Sequence, residues 1–269
     1  MPVDPVASAL FHRYVALGDS GTEGVGDDPH PDGSERGWAD RLAEALTQAN
    51  PELHYANLAV RGRRVAEVHE QQLEPALELE PDLATVVAGT NDILRRRFDL
   101  DASLRHMDEM MRALRAAGAT VITATFPDVS SLVPAARLVR QRLRQYNAGL
   151  REVAGSSGSL LVDAEDFPSL ADRRMWCADR LHLSPLGHRG LASAMAAVLG
   201  AGAVDPAAVA LPPAPRAPYR RRVADDVQWA RTFLLPWIGR RLTGRSSGDG
   251  RFAKRAELQP LSPRPPDRS

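Results

Sequence analysis

Short apolar runs alternate along this chain with longer stretches in which apolar residues recur at helical spacing. The runs predict strands at Tyr14–Leu17, His54–Leu58, Leu83–Ala88, Thr120–Thr125 and Leu160–Val162. The stretches between them predict helices at Gly37–Ala49, Arg64–Leu79, Leu100–Ala117, Ala135–Ala154 and Pro185–Leu199. Because such alternation is typical of βαβ crossovers, we expect an α/β protein whose parallel sheet, of about five strands, is covered by helices on both faces.

Polar and glycine-rich segments follow the first three predicted strands directly. Gly18–Ser20 follows the first strand, Asn57–Gly62 the second and Gly89–Asn91 the third. In parallel sheets, ligands bind beyond the carboxyl ends of the strands. We therefore expect these three segments to meet at one edge of the sheet and to share a site.

Composition bounds the class of protein. The chain has 269 residues, 43% of them hydrophobic, and a formal net charge of +0. That balance hides an acidic body of net −8 and a basic segment from Leu211 onward, which holds 13 Lys and Arg against 5 Asp and Glu. Cys177 is the sole cysteine, and the N-terminus has no basic segment followed by a long apolar run. We expect a cytoplasmic protein with no membrane span.

The sequence divides into a body and a tail. We expect one globular domain over residues 1–210 and a proline- and arginine-rich linker over 211–224. Residues 225–243 predict an amphipathic helix, broken near Pro236, and residues 244–269 have the composition of a disordered segment.

Acyl transfer needs a nucleophilic hydroxyl, a base, a carboxylate that orients the base, and donors for the oxyanion. Ser20, His182, Asp179 and Asn91 can supply these in that order. Ser20 lies on a glycine-flanked turn between a strand and a helix, where its hydroxyl would be accessible. A helix-capping serine would look the same in sequence, so it is the conjunction of motifs that carries the interpretation.

Asp179 and His182 lie three residues apart, just before Ser184 and Pro185, which predict an N-cap and a first helical residue. A loop before a helix can hold both side chains on one side of a turn, so that the carboxylate orients the imidazole. A surface Asp and His is the alternative. His188 is the nearest rival base, but it falls inside the predicted helix, and we expect it to be structural.

The donors to the oxyanion come from two other turns. Asn91 offers a side-chain amide at the end of a strand, and Gly62 can bring a backbone N–H to the same place. Asp92 is expected to stabilise the loop. The alternatives are an Asx turn at Asn91 and an ordinary turn glycine at Gly62.

These four blocks resemble the SGNH hydrolase superfamily, also called the GDSL-like lipases and esterases, over about residues 12–200. The resemblance implies a flavodoxin-like three-layer α/β/α fold and ester hydrolysis without a metal or cofactor. It implies that Ser20 is the nucleophile, that Asp179 and His182 complete the triad, and that Gly62 and Asn91 join the Ser20 N–H in the oxyanion hole.

One position departs from the family pattern. Gly21 follows Ser20 where the family has leucine or another apolar residue. Glycine there could loosen the turn or open space beside the nucleophile, and it removes no catalytic group.

On this reading the protein is a serine esterase of small or medium acyl groups. The alternatives are a carbohydrate or lipid deacetylase, a lysophospholipase, and a catalytically silent binding module with the same fold. Retention of all five predicted site residues argues against the silent module. Nucleic-acid binding is not expected, because the basic tail carries no motif beyond its charge.

Two basic regions remain ambiguous. Arg61, Arg63 and Arg64, like Arg95–Arg97, could meet an anionic substrate, although a solvated helix start explains them equally well. The tail helix, with Trp229 and Phe233 among its apolar residues, could rest on an anionic membrane. We favour packing of that helix on the body or on a protein partner.

Overall fold

A six-stranded sheet forms the centre of the protein in the computed structural model, which describes residues 10–213, 218–236, 239 and 247–261. Its strands, numbered along the chain, are β1 (Arg13–Gly18), β2 (His54–Asn57), β3 (Leu83–Val87), β4 (Thr120–Ala124), β5 (Leu160–Val162) and β6 (Arg255–Pro260). Spatially they lie in the order β5-β4-β3-β1-β2-β6. The first five strands are parallel to one another and have the strand order of flavodoxin. The predicted three-layer fold is confirmed.

Helices cover both faces of the sheet. They are α1 (Ser20–Glu23), α2 (Trp38–Thr47), α3 (Val65–Glu78), α4 (Thr90–Ile93), α5 (Leu100–Ala116), α6 (Arg140–Ser157), α7 (Pro185–Val198), α8 (Pro206–Val209) and α9 (Tyr219–Trp229). On one face, α2 and α7 bury Trp38, Leu42 and Met195. On the other, α3, α5 and α6 pack together over the buried residues of β1, β3 and β4. Four of the five helices predicted between the strands are present, with ends that differ by one or two residues. In place of the fifth, predicted over Ala135–Ala154, the structure has a 3₁₀ turn, Pro134–Leu138, and then α6.

The sixth strand corrects the prediction that residues 244–269 are disordered. β6 pairs antiparallel with β2, with His54 opposite Pro260 and Asn57 opposite Arg255. Three of its six residues, Arg255, Glu257 and Gln259, are polar and none of the six is buried, so this exposed edge strand lacks the apolar run that predicted the other strands. Residues 244–246 and 262–269, which the same prediction covers, lie outside the described part of the chain.

The tail helix also begins earlier than predicted. α9 starts at Tyr219, inside the predicted linker 211–224, directly after Pro218, whose fixed φ suits the start of a helix. It continues as a π-helical segment, Ala230–Leu234. The predicted helix 225–243 therefore overlaps α9 only in part, and its residues 237, 238 and 240–243 lie outside the described residues. Among the helices of the described residues, none combines the length and the apolar character that a membrane crossing requires.

Two adjacent strands position the candidate site. β1 and β3 pair in parallel at the centre of the sheet, with Gly18 opposite Val87. β2 lies on one side of β1, and the chain then crosses over to add β3 on the other side. The gap between β1 and β3 is therefore the switch point at which open α/β sheets bind ligands. Ser20 and Asn91 follow these two strands and lie in the first turns of α1 and α4.

Candidate active site

Ser20, His182 and Asp179 form a continuous chain of polar contacts. His182 Nε2 lies 2.9 Å from Ser20 Oγ, and His182 Nδ1 lies 2.6 Å from Asp179 Oδ2. Both distances are within hydrogen-bond range, so the imidazole can accept the hydroxyl proton at Nε2 while the carboxylate holds Nδ1–H. The three predicted triad residues are thus brought together, although Ser20 and His182 are 162 positions apart in sequence.

The turn that carries Ser20 is held by the residue before it. Asp19 is the N-cap of α1, and its Oδ1 accepts the N–H of Gly21 at 3.2 Å. Because Ser20 is the first residue of α1, its own N–H has no acceptor within the helix. A Cβ at Gly21 would lie 3.8 Å from Asp19 Oδ1, so there is room for a side chain beside the predicted nucleophile. The glycine therefore leaves space that the family's usual apolar residue would occupy.

A narrow hairpin-like loop carries the other two residues of the triad. Trp176 and Leu183 form an antiparallel bridge, and the N–H of Cys177 donates to the carbonyl oxygen of His182 at 2.9 Å. The loop leads into α7, where Ser184 is the N-cap and Pro185 the first helical residue, as predicted. The base and its carboxylate are therefore fixed by the backbone of a short loop and by the helix that follows.

The surroundings of Asp179 favour its ionised carboxylate. Burial opposes its charge, but the hydrogen bond and the charge interaction with His182 outweigh burial and lower its pKa below the ordinary value. Its Oδ1 also accepts the N–H groups of Leu181 and His182, at 3.0 and 3.1 Å. An ionised Asp179 selects the imidazole tautomer that carries its proton on Nδ1 and leaves Nε2 to act as the base.

Asn91 lies beside Ser20, and its amide already has partners. Nδ2 donates to Asp19 Oδ2 at 3.2 Å and to the carbonyl oxygen of Arg63 at 3.1 Å. An oxyanion would have to share or replace one of these contacts. Gly62 lies in the turn just before Arg63 with φ +80°, a conformation that favours glycine, but it is not among the residues that line the cavity described below. Its predicted part in the oxyanion hole stays a prediction.

Two further carboxyl groups lie close to the triad. Burial raises the pKa of Asp19 to about 6, although its hydrogen bond to Gly21 and the charge of His182 oppose the shift. Burial likewise raises the pKa of Asp92 to about 6. Asp92 Oδ2 accepts the N–H of Val65 at the start of α3, so it stabilises the loop as predicted.

An apolar cavity of about 210 Å³ opens from Ser20, Asn91 and His182. Most of its wall is hydrophobic and comes from α4, α6, α7 and the loops after β4 and β5; it includes Ile93, Phe126, Leu143, Val162, Phe167, Met175 and Leu191. A cavity of about 150 Å³ with an apolar lining accommodates benzene. This one therefore has room for a hydrocarbon chain of roughly six to eight carbons.

The side chain of His188 lies in the core and contacts backbone groups of two neighbouring segments. It is fully buried; its Nδ1 accepts the N–H of Trp38 at 3.1 Å, and its Nε2 lies 3.2 Å from the carbonyl oxygen of Val25. Burial lowers its pKa to about 4, so the ring is neutral near pH 7. These contacts join α7 to α2 and to the loop after α1, in agreement with the structural role expected from the sequence.

The arginines after the second strand are engaged by carboxylates of the protein. Arg61 Nε donates to Glu23 Oε1 at 2.8 Å, and Arg61 Nη2 donates to Glu35 Oε1 at 2.8 Å. Arg64 pairs with Glu67 at 3.0 Å. Both side chains thus hold the turn and the start of α3, and the sequence offered no signal that Glu23 would be the partner of Arg61.

One group in the described residues could hold a metal ion. His69, His106 and Glu109 each offer a ligand atom within 4.8 Å of the others. They lie on α3 and α5, and none lines the cavity beside Ser20.

Comparison with known proteins places this site in a family. Residues 16–189 match the model of the GDSL-like Lipase/Acylhydrolase family. An acetylxylan esterase of Geobacillus stearothermophilus is 24% identical over 210 residues, which cover 70% of this chain and 94% of that protein.

Two solved structures share the fold. The hydrolase LAE5, from the metagenome of Lake Arreo in Spain, superposes with a TM-score of 0.59 at 23% identity and covers 71% of this chain and 95% of its own. A lipase/acylhydrolase from Enterococcus faecalis has a TM-score of 0.58 at 20% identity and covers 68% and 93%. The chain belongs to the GDSL-like lipase/acylhydrolase family, and it is a carboxylic ester hydrolase.

Proposed function

We propose that the protein is a serine esterase that cleaves esters of medium-length acyl groups through an acyl-enzyme on Ser20. The contact that carries this proposal is the 2.9 Å approach of His182 Nε2 to Ser20 Oγ, with Asp179 on the far side of the ring. A hydroxyl is a poor nucleophile until a base takes its proton, and this geometry supplies that base.

The reaction follows the triad logic. His182 removes the Ser20 proton as Oγ attacks the acyl carbonyl, and Asp179 stabilises the imidazolium that forms. The oxyanion would rest on the Ser20 N–H and on the Asn91 amide, which would exchange its hydrogen bond to Asp19 or to Arg63 for one to the oxyanion. Gly62 keeps its predicted place as a third donor. His182 then protonates the leaving alcohol. Water attacks the acyl-enzyme by the same steps and frees Ser20.

The cavity favours a medium acyl chain over a very short one. An acetyl group would leave most of the 210 Å³ unfilled, whereas each methylene moved from water into this apolar space contributes about 0.8 kcal/mol. Gly21 adds to the free space next to Ser20. The acyl chain would extend from Ser20 into this cavity, whose lining includes Phe126 and Leu143.

A deacetylase of carbohydrate esters is the second candidate, since the relative from Geobacillus stearothermophilus is named an acetylxylan esterase. The two candidates differ in what the enzyme would gain from the length of the acyl chain. Only the medium-chain esterase gains from apolar burial in the cavity.

The test is hydrolysis of a p-nitrophenyl ester series from acetate to dodecanoate, with release of acetate from acetylated xylan measured alongside. Wild type is compared with Ser20→Ala and with Ser34→Ala, which alters an exposed serine outside the site. We expect a maximum of kcat/KM near hexanoate to octanoate, loss of activity by at least a thousandfold in Ser20→Ala, and no change in Ser34→Ala.

Two results would overturn the proposal. Activity that survives in Ser20→Ala would remove Ser20 as the nucleophile. A preference for acetylated xylan over every longer ester would replace the medium-chain substrate with the deacetylase alternative. Labelling by a fluorophosphonate, checked for loss in Ser20→Ala, detects the reactive hydroxyl even if the series contains no good substrate.

A further inference from the structure

Helix α9 contacts the loop that carries Asp179 and His182. Trp229 Nε1 donates to the main-chain oxygen of Asp179 at 2.8 Å. On the same helix, Asp226 Oδ1 lies 2.6 Å from Arg180 Nη1. The guanidinium of Arg180 lies 4.9 Å from the centroid of the Trp229 ring, within the range of a cation–π contact. One turn of α9 thus contacts two consecutive residues, Asp179 and Arg180, of the loop that carries the predicted base.

The backbone at this point needs support. Arg180 has φ +58°, in the left-handed region that residues other than glycine seldom adopt. Its side chain is only 9% exposed, and Nη1 also donates to the carbonyl oxygen of Leu132 at 3.2 Å. The left-handed turn brings the N–H groups of Leu181 and His182 onto Asp179 Oδ1. The contacts to α9 therefore hold the conformation that aims the carboxylate at the imidazole.

This helix lies outside the family's region. The family match ends at residue 189, and α9 begins at Tyr219. None of the α9 side chains that the structure describes lines the cavity, and the contacts of α9 beside the site are those to the loop. We infer that Trp229 and Asp226 are positioning residues, which keep Asp179 Oδ2 within reach of His182 Nδ1. The inference rests on the proposed roles of Asp179 and His182.

The test separates the indole N–H from the ring. Trp229→Phe removes the donor to Asp179 and keeps an aromatic ring under Arg180, whereas Trp229→Ala removes both. Val227→Ala, at an exposed position of the same helix, is the control. We expect kcat on a p-nitrophenyl ester to fall about threefold to tenfold in Trp229→Phe and about tenfold to a hundredfold in Trp229→Ala, with KM within twofold. Val227→Ala should match wild type.

A spectroscopic measurement makes the result independent of turnover. The proton between His182 Nδ1 and Asp179 should give a downfield ¹H NMR signal in wild type and in Ser20→Ala, and it should broaden or disappear in Trp229→Ala. Failure of the proposed function would appear as activity that does not depend on Ser20, with this signal still sensitive to Trp229. A folded Trp229→Ala with wild-type kcat and an unchanged signal would overturn the inference.

A second site rests on separate residues. His69 Nε2 and His106 Nδ1 lie 3.3 and 3.5 Å from the same atom, Glu109 Oε2. In a tetrahedral zinc site with bonds near 2.1 Å, ligand atoms are about 3.4 Å apart. His106 Nδ1 is buried and has no hydrogen-bond partner among the described residues. We propose that these three side chains bind a divalent transition metal such as Zn²⁺, with water completing the site.

Two packed helices, α3 and α5, supply the ligands, so the site would crosslink elements of the fold. Calorimetry of the chelator-treated full chain with Zn²⁺ should show one equivalent bound, and Co²⁺ should give the visible absorption of a tetrahedral complex. His106→Ala should weaken binding at least tenfold, whereas His54→Ala, an exposed histidine on β2, should not. Absence of stoichiometric binding, or binding that His106→Ala leaves unchanged, would overturn the proposal.

Discussion

Gln72 forms two hydrogen bonds with the backbone of Gly18, two residues before Ser20. Its Oε1 accepts the Gly18 N–H at 2.9 Å, and its Nε2 donates to the Gly18 carbonyl oxygen at 3.0 Å. Gln72 is buried on α3, so a side chain from this helix bonds both backbone groups of the last residue of β1. This pairing fixes the direction in which the chain leaves the sheet to form the turn at Ser20.

Replacing Gln72 with leucine should therefore affect both folding and the site. Gln72→Leu leaves the Gly18 N–H buried without an acceptor, and we expect a loss of about 2–3 kcal/mol in the free energy of unfolding. Because the turn at Ser20 loses its support, kcat should fall by roughly tenfold. Gln71→Leu, at an exposed position of the same helix, should change stability by less than about 0.5 kcal/mol. Urea denaturation and ester hydrolysis measure the two effects, and equal behaviour of the two variants would contradict the role of Gln72.

Buried His188 predicts a pH dependence of stability. Burial disfavours the imidazolium and lowers the pKa of His188 to about 4, against about 6.5 in the unfolded chain. The folded state therefore binds the proton less readily, so this contribution to stability is complete above pH 6.5 and is lost as the pH falls to 4. By linkage the loss amounts to about 3 kcal/mol.

The measurement compares wild type with His188→Gln, which cannot titrate, by urea denaturation at several pH values between 7 and 4. The free energy of unfolding of wild type, relative to that of His188→Gln, should fall by about 3 kcal/mol between pH 7 and pH 4. A difference is needed because the raised pKa values of Asp19 and Asp92 act with the opposite sign over much of this range. A pH-independent difference would mean that His188 is not buried in its neutral form.

Patterns local in sequence predicted the parallel sheet and identified the candidate triad residues. β1 and β3 are short, mostly apolar runs followed by polar turns, and Asp179 and His182 lie close together before a clear helix start. What was missed depends on distant pairing. Nothing near Gln72 in sequence indicates a partner at Gly18. The residues of β6 have the composition of a solvated tail, and they form a strand because they pair with the edge of β2.

The tail is also joined to the body by a buried ion pair. Lys254 Nζ lies 2.5 Å from Asp40 Oδ2 and donates to the carbonyl oxygen of Glu35 at 2.8 Å. Although burial opposes the charge of Asp40, the hydrogen bond from His30 and the charge of Lys254 keep its pKa below the ordinary value. The lysine thus anchors the start of β6 over α2.

Lys254→Met should destabilise the protein because it leaves the buried Asp40 carboxylate without its main counter-charge. We expect a loss of about 3 kcal/mol and a fall in Tm of roughly 10 °C. Arg251→Met, which removes an exposed charge from the same segment, should have little effect. In Lys254→Met with Asp40→Asn, the combined loss should be smaller than the sum of the two single losses. Strict additivity in calorimetry would show that the two groups do not interact.

The length of the acyl chain can be tested by filling the cavity from its rim. Ala136 is half-buried in the 3₁₀ turn Pro134–Leu138 and lines the cavity, whereas its neighbour Ala135 is exposed and does not. Ala136→Phe adds a ring that competes with the acyl chain for space but disturbs no core packing. We expect kcat/KM for octanoate to fall at least tenfold relative to acetate, since about three fewer methylenes, at about 0.8 kcal/mol each, could be buried. Ala135→Phe should keep the wild-type profile. If Ala136→Phe keeps it too, then the acyl chain does not occupy this cavity, and the preference for medium chains must come from another surface beside Ser20.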